Sequence, residues 1–179
     1  MLVPWAWNDE DVTCWDITAG EATLADVQAL VDEADEVVIQ NSMFDRTVLA
    51  ANGVTVPVEK IVDTMVQALS HSLPGSLDKL CDILGVPTDK AKLKSGNRLI
   101  HLFCKPQPAN RKVARATRLT HPAEWEEFKA YAAADVVSMR EVRKRLPAWN
   151  YPRADEMDVW WVDQGFNDRG MLVDTDLAE

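Results

Sequence analysis

No apolar run in this sequence is long enough to span a bilayer; the longest are short and broken by charge. Residues 1–20 lack a basic start followed by an apolar stretch, so no secretory signal is expected and the default compartment is the cytoplasm. Cysteine is scarce, with Cys14, Cys81 and Cys104 too widely spaced for a metal knuckle or a redox pair. They are expected to be buried or half-buried free thiols. His71, His101 and His121 form no HExxH-like spacing and read as surface or structural residues. There is no Walker loop, dinucleotide fingerprint or nucleophile elbow, which removes the commonest nucleotide-binding and hydrolase readings.

Positive charge is scarce everywhere but in one place. The net charge of -10 argues against a nucleic-acid binder. Yet residues 90–118 carry nine Lys or Arg and no Asp or Glu, while the rest carries ten basic residues against 29 acidic ones. Such a stretch suits phosphate contact; the bland alternative is a solvated basic loop. His101 and Lys105 are candidate phosphate contacts, and Arg111, Lys112, Arg115 and Arg118 have the spacing of a helix or loop lining a groove.

What is present describes a globular chain: 179 residues, 47% apolar, enough for one domain with a sizeable core. "WAWNDEDVTCWD" reads as a hairpin around a polar turn. Residues 22–34 place Leu24, Val27, Leu30 and Val31 on one helical face. "EVVIQ" reads as a short central strand, followed by a helix over about 43–50 that Asn41 or Ser42 caps. Residues 59–71 are helix-like in their second half. A helix follows with Ser76 as its cap, Leu77, Leu80, Cys81 and Leu84 as its apolar face and Gly85 as its stop. A short helix near 97–103 is expected between flexible flanks. Residues 122–146 form a long helical region with Pro122 in its first turn and a break allowed near Ala130. A linker at 147–152, a further helix and the start of an extended piece close the chain. The seven tryptophans read as core packing more than as base-stacking residues. The expected class is α/β, with a small mixed sheet flanked by helices.

Two acids stand in unusual places. In "YAAADVV", Tyr131 and Asp135 lie four apart, on one face of a helix with three alanines between them. In "VVIQNSMFDRTVL", Asp45 follows closely after a strand's end, where α/β sheets hold their ligand sites. Phe44 and Val48 are expected to pack inward there. An acid at a packing boundary costs desolvation unless a metal, a base or donors compensate. Each is otherwise an ordinary solvent-edge Asp.

"NSMFD" (41–45) and "YAAAD" (131–135) resemble the second and third motifs of the DEDD exonucleases, in the tyrosine form of the DEDDy branch. "LPGSLDKLCDILGVPTDKAK", "GNRLIHLFCKP" and "VWWVDQGFNDRGMLVD" narrow the likeness to the proofreading 3'-5' exonuclease region of bacteriophage family A DNA polymerases. It covers nearly the whole chain. The resemblance implies a ribonuclease H-like exonuclease fold at 1–146, and a linker helix and the start of a polymerase region at 147–179. It implies metal-dependent hydrolysis of DNA 3'-terminal phosphodiesters, releasing nucleoside monophosphates. Asp45 and Asp135 would bind Mg²⁺ or Mn²⁺ in a two-metal site, and Tyr131 would orient the attacking water. Asn41 and Phe44 would support the site wall and the terminal nucleotide. The partner would be a single-stranded or frayed DNA 3' end, with no membrane, in the host cytoplasm if the chain is phage-encoded.

The family's first motif, a strand carrying Asp-x-Glu, is not found in a strand context. Asp9, Glu10 and Asp11 fall in the expected hairpin turn. The chain is therefore expected to be truncated at both ends. The polymerase region or another chain would supply the missing central strand, whose neighbours would otherwise expose edges. The isolated chain is expected to be a poor nuclease or an inactive one. The rival is a catalytically dead DNA-binding or structural remnant, unless Asp9 or Asp11 reaches Asp45 and Asp135.

Overall fold

The computed structural model describes residues 1–87, 90–106, 115–151 and 154–178, and only the backbone of 90–95, 154 and 178. The chain forms two compact units, Met1–Val27 with Ser76–Arg145 and Gln28–Gly75 with Leu146–Glu179. The class is α/β. Among the described residues the four strands make one antiparallel and one parallel pair, in two separate sheets.

In the first unit, β1 (Leu2–Trp5) pairs antiparallel with β2 (Thr13–Asp16), and the polar stretch lies between them as the hairpin pattern requires. The Trp5 ring packs 4.9 Å from Trp15 and 6.3 Å from Trp7, so the hairpin's tryptophans are packing residues. Asp16 ends β2 almost fully buried. Its carboxylate accepts hydrogen bonds from the Thr18 amide (2.9 Å), the Thr18 hydroxyl (2.6 Å) and the Trp125 indole (2.7 Å). A buried carboxylate is tolerable when donors surround it in this way.

Three helices complete this unit. α4 (Leu77–Leu84) buries Leu80 and Cys81 and stops at Gly85, whose left-handed φ of 65° suits glycine. Ser76 takes the cap position, but its side chain makes no capping bond. α5 (Lys90–Cys104) is longer than the expected short helix, and its flank at 107–114 lies outside the described residues. α6 (Pro122–Arg145) runs unbroken through Ala130 and packs on α4, α5 and β1. Leu99 and Phe103 of α5, with Ala116, bury against Trp125 and Phe128 of α6, and the Phe103 and Phe128 rings stack at 5.4 Å. Of the thiols, Cys81 is buried and Cys14 half-buried, but Cys104 is exposed, because the last turn of α5 turns it away from the Leu99–Phe103 face.

α1 (Leu24–Glu33) begins in the first unit, where Thr23 and Asp26 form a reciprocal capping box, and continues in the second. At its far end the Lys60 ammonium donates to the Val31, Asp32 and Ala34 carbonyls at 3.0, 2.9 and 2.8 Å. A cation there satisfies the last carbonyls and the helix dipole. In the second unit, β3 (Val37–Ile39) runs parallel to β4 (Ile61–Asp63), with Ile39 opposite Asp63. The sequence pattern reads β3 as central; among the described residues it pairs with β4 alone. β4 itself leaves no signal in the sequence, since three residues are too few to show a period. α2 (Ser42–Ala51) follows β3 and α3 (Thr64–Ser70) follows β4. Val31, Val56 and Ile61 form the core with Trp160 of α7 (Ala154–Arg169). The last element is the short α8 (Thr175–Ala178). No helix of the described residues is long and apolar enough to cross a membrane.

Candidate active site

Tyr131 and Asp135 stand one turn apart on α6, both half-buried, with the phenol near enough to act on the carboxylate as a hydrogen-bond donor. Burial pushes the Asp135 carboxyl up to about 6 against the opposing pull of that hydrogen bond. Burial also pushes the Tyr131 phenol up to about 12, helped by the charge of Asp135 and, further off, of Asp78. The phenol is therefore a proton donor throughout the physiological range.

Gly96 of α5 makes room for this pair. A Cβ built there would lie 2.2 Å from Tyr131 Cε2 and 2.6 Å from Cζ. Glycine inside a helix is costly, and here the Tyr131 ring fills the space that a side chain would take. On its own helix the ring stacks with Phe128 at 6.4 Å and 9°.

The second group sits at the start of α2. Asn41 takes a left-handed φ of 62°, and its carbonyl accepts the Phe44 amide at 3.1 Å, but its side chain caps nothing. The capping is done by Asp63 at the end of β4. Its carboxylate accepts from the Asn41 amide (3.1 Å) and the Ser42 amide (2.6 Å). Asp45 is half-buried and pushed up to about 6, by burial first and by the charge of Asp63 second.

Phe44 and Val48 do not pack inward. Phe44 is 64% exposed and Val48 also faces solvent. The inward positions of α2 are Ser42, Asp45, Arg46 and Leu49, a spacing of three, four and seven that turns Asp45 toward the packed side. Arg46 is held there by Gln164 at 2.9 Å and by an ion pair with Asp168, which fixes the rotation of the helix.

Of the basic candidates, His101 and Lys105 are exposed and adjoin at the end of α5, Nε2 to Nζ 3.3 Å. The Arg115 guanidinium donates to the Phe103 carbonyl at 3.4 Å, and Arg118 is half-buried. Arg111 and Lys112 lie outside the described residues. Arg98, from the same basic stretch, pairs with Glu127 at 2.7 Å.

Asp45 and Asp135 belong to different units. Asp9, one of the acids considered as a replacement ligand, pairs with Lys144 at 2.6 Å. Among the described residues no group of three or more His, Cys, Asp or Glu side chains is placed to hold a metal ion. Sequence reasoning does not single out Asp63 or Gly96, though each leaves a signal. Asp63 precedes a Thr at a helix start, and Gly96 interrupts a helical pattern.

A family model described as 3'-5' exonuclease matches residues 6–148. A DNA polymerase of Bacillus phage SP02 is 31% identical over 185 residues, an alignment that covers 100% of this chain and 28% of that polymerase. The chain thus spans somewhat more than a quarter of the length of that curated relative. No solved structure matches.

Proposed function

We propose that this chain, which belongs to the 3'-5' exonuclease family, is the proofreading region of a phage family A polymerase and removes nucleoside monophosphates from DNA 3' ends. The observation that carries this is the Tyr131–Asp135 pair: a protonated phenol one helical turn from a desolvated carboxylate, with no cation among the groups that set its pKa.

The family is metal-dependent. Taken singly, Asp45 and Asp135 each suit a hard divalent cation, because a positive charge beside the carboxyl would offset the desolvation that now raises it. In this reading each would be a ligand of Mg²⁺ or Mn²⁺. When bound, the metal neutralises charge on the scissile phosphate and lowers the pKa of water. Tyr131 fixes the attacking water by its hydroxyl, while Asp135 fixes the phenol. The exposed Phe44 ring offers a face on which the terminal base stacks. Asn41 lines the same turn. His101, Lys105, Arg111, Lys112, Arg115 and Arg118 meet backbone phosphates and carry no sequence preference.

Two carboxylates are a partial set. A strand carrying Asp-x-Glu, from the polymerase's own chain or from another, would complete it. Among the described residues β1 and β3 each pair with one strand, so each has an edge on which a strand can add. The match to residues 6–148 supports reading 1–146 as the exonuclease region, and in this reading 147–179 is a linker helix leading toward a polymerase region. The host cytoplasm is the compartment this reading implies.

The test is product identity. With DNA labelled at its 3' end and Mn²⁺, the wild-type chain should release labelled mononucleotide slowly, and Tyr131→Phe and Asp135→Ala should not. Release of longer fragments, or equal release by Asp135→Ala, overturns the reading.

A further inference from the structure

Asp63 is 2% exposed and is not part of either group proposed above to touch substrate. Its place is unusual. It closes β4, opposite Ile39 of β3, so it stands where the two parallel strands end and their helices begin. Its Oδ1 accepts from the Met65 amide at 2.8 Å and the Val66 amide at 3.4 Å, the normal work of a helix cap on α3. The same oxygen accepts from the Asn41 amide at 3.1 Å, and Oδ2 accepts from the Ser42 amide at 2.6 Å. One carboxylate therefore caps two helices. Its own amide is bonded to the Tyr151 hydroxyl at 3.1 Å, which holds its backbone in place.

The consequence for α2 is specific. Asn41 sits in a left-handed conformation that costs energy for a residue with a side chain, and nothing in its own side chain compensates. Charge-assisted bonds to two successive amides do compensate. Neighbouring Thr64 ties the same strand ends together, its hydroxyl donating to Gln40 Oε1 at 2.5 Å, while the Gln40 amide donates to the Gly75 carbonyl at 2.8 Å. The turn from β3 into α2 is thus built around a side chain of β4, and that turn decides where Phe44 and Asp45 point.

We propose that Asp63 is a positioning residue for the exonuclease reaction, a buried carboxylate that locks the Asn41–Ser42 turn and so aims the first turn of α2. This rests on the function proposed above for Asp45 and Phe44.

Asp63→Ser separates the two capping tasks in the full chain. A serine oxygen still caps α3 but is a bond shorter and too near the backbone to reach α2. By amide hydrogen exchange, Asn41 and Ser42 should exchange about tenfold or more faster, as loss of bonds to a charged acceptor implies. Met65 and Val66 should keep their protection. Mononucleotide release should lose kcat with KM for DNA little changed. Should the serine variant not fold, Asp63→Asn keeps the shape. Its amino group is best placed against the single Ser42 donor, so that amide alone should exchange faster. Asn41 and Ser42 protected as in the wild type, or all four amides losing protection together, would overturn the proposal. A wild-type chain that releases no mononucleotide would refute the functional reading instead, and the exchange result would still decide what Asp63 does.

Discussion

The Tyr131 ring lies over Gly96 so closely that a single added carbon would collide with it, 2.2 Å from Cε2. The helix that carries the basic stretch and the helix that carries the DEDDy-like motif are therefore fitted to each other at the tyrosine. Gly96→Ala must displace the ring or part the helices, at a cost of about 1–3 kcal/mol that alanine's better helix propensity offsets only in part. Melting temperature and mononucleotide release should both fall. Gly165, inside α7 with no atom within 4 Å of its missing Cβ, is the contrast. Gly165→Ala should gain roughly 0.5–1 kcal/mol by thermal melting and leave catalysis alone.

Asp45 and Asp135 should set a pH dependence of stability. Both titrate at about 6 in the fold, well above an open-chain carboxyl. The folded state therefore holds extra protons between about pH 4 and 6, so stability falls as pH rises through that window and stays at the lower level above it. Asp135→Asn or Asp45→Asn should raise the stability of metal-free protein at pH 7.5 by roughly 1–2 kcal/mol and give no gain at pH 4. Urea melts at the two pH values measure this. Equal gains at both would contradict it.

Asp16 behaves in the opposite way. Burial raises its carboxyl, but hydrogen bonds from Thr18 and the Trp125 indole outweigh burial and hold it below the usual range. Its contribution is present at neutral pH and lost as pH falls through that lowered value. Trp125→Phe removes one charged hydrogen bond and should cost about 1–3 kcal/mol at pH 7, less once the pH has fallen below that lowered value. Denaturant unfolding against pH checks both parts.

Much of the fold is legible in the sequence. The i, i+4 pair of Tyr131 and Asp135 shares a helix face because helix geometry alone dictates it, and the hairpin, α4 and the long α6 follow from turn residues and periodicity. The differences have physical reasons. β4 is too short to show a period. The inward face of α2 is turned from the one its apolar residues suggest because the charged Arg46 is drawn inward by Gln164 and Asp168. Asp63 stays hidden because its second task depends on a strand pairing 22 residues away in sequence, the separation of its bond to Asn41.

The basic stretch yields a binding prediction. Lys105→Gln with Arg118→Gln should weaken DNA binding uniformly across sequences. It should also flatten the dependence of log K on log salt by about one for each phosphate that is no longer neutralised. Fluorescence anisotropy at several salt concentrations gives both quantities. An unchanged slope would mean that these side chains do not meet phosphate.

The central claim is that Asp135 supports metal-dependent hydrolysis from a DNA 3' end. The most direct measurement is a time course on a gel, with 3'-overhang DNA labelled at its 5' end, in Mg²⁺, Mn²⁺ or EDTA, for the wild-type chain and Asp135→Ala. The account predicts a slow ladder that shortens from the 3' end, needs the metal and vanishes in the variant. A ladder that persists in Asp135→Ala or in EDTA, or no shortening by the folded wild-type chain, would contradict it.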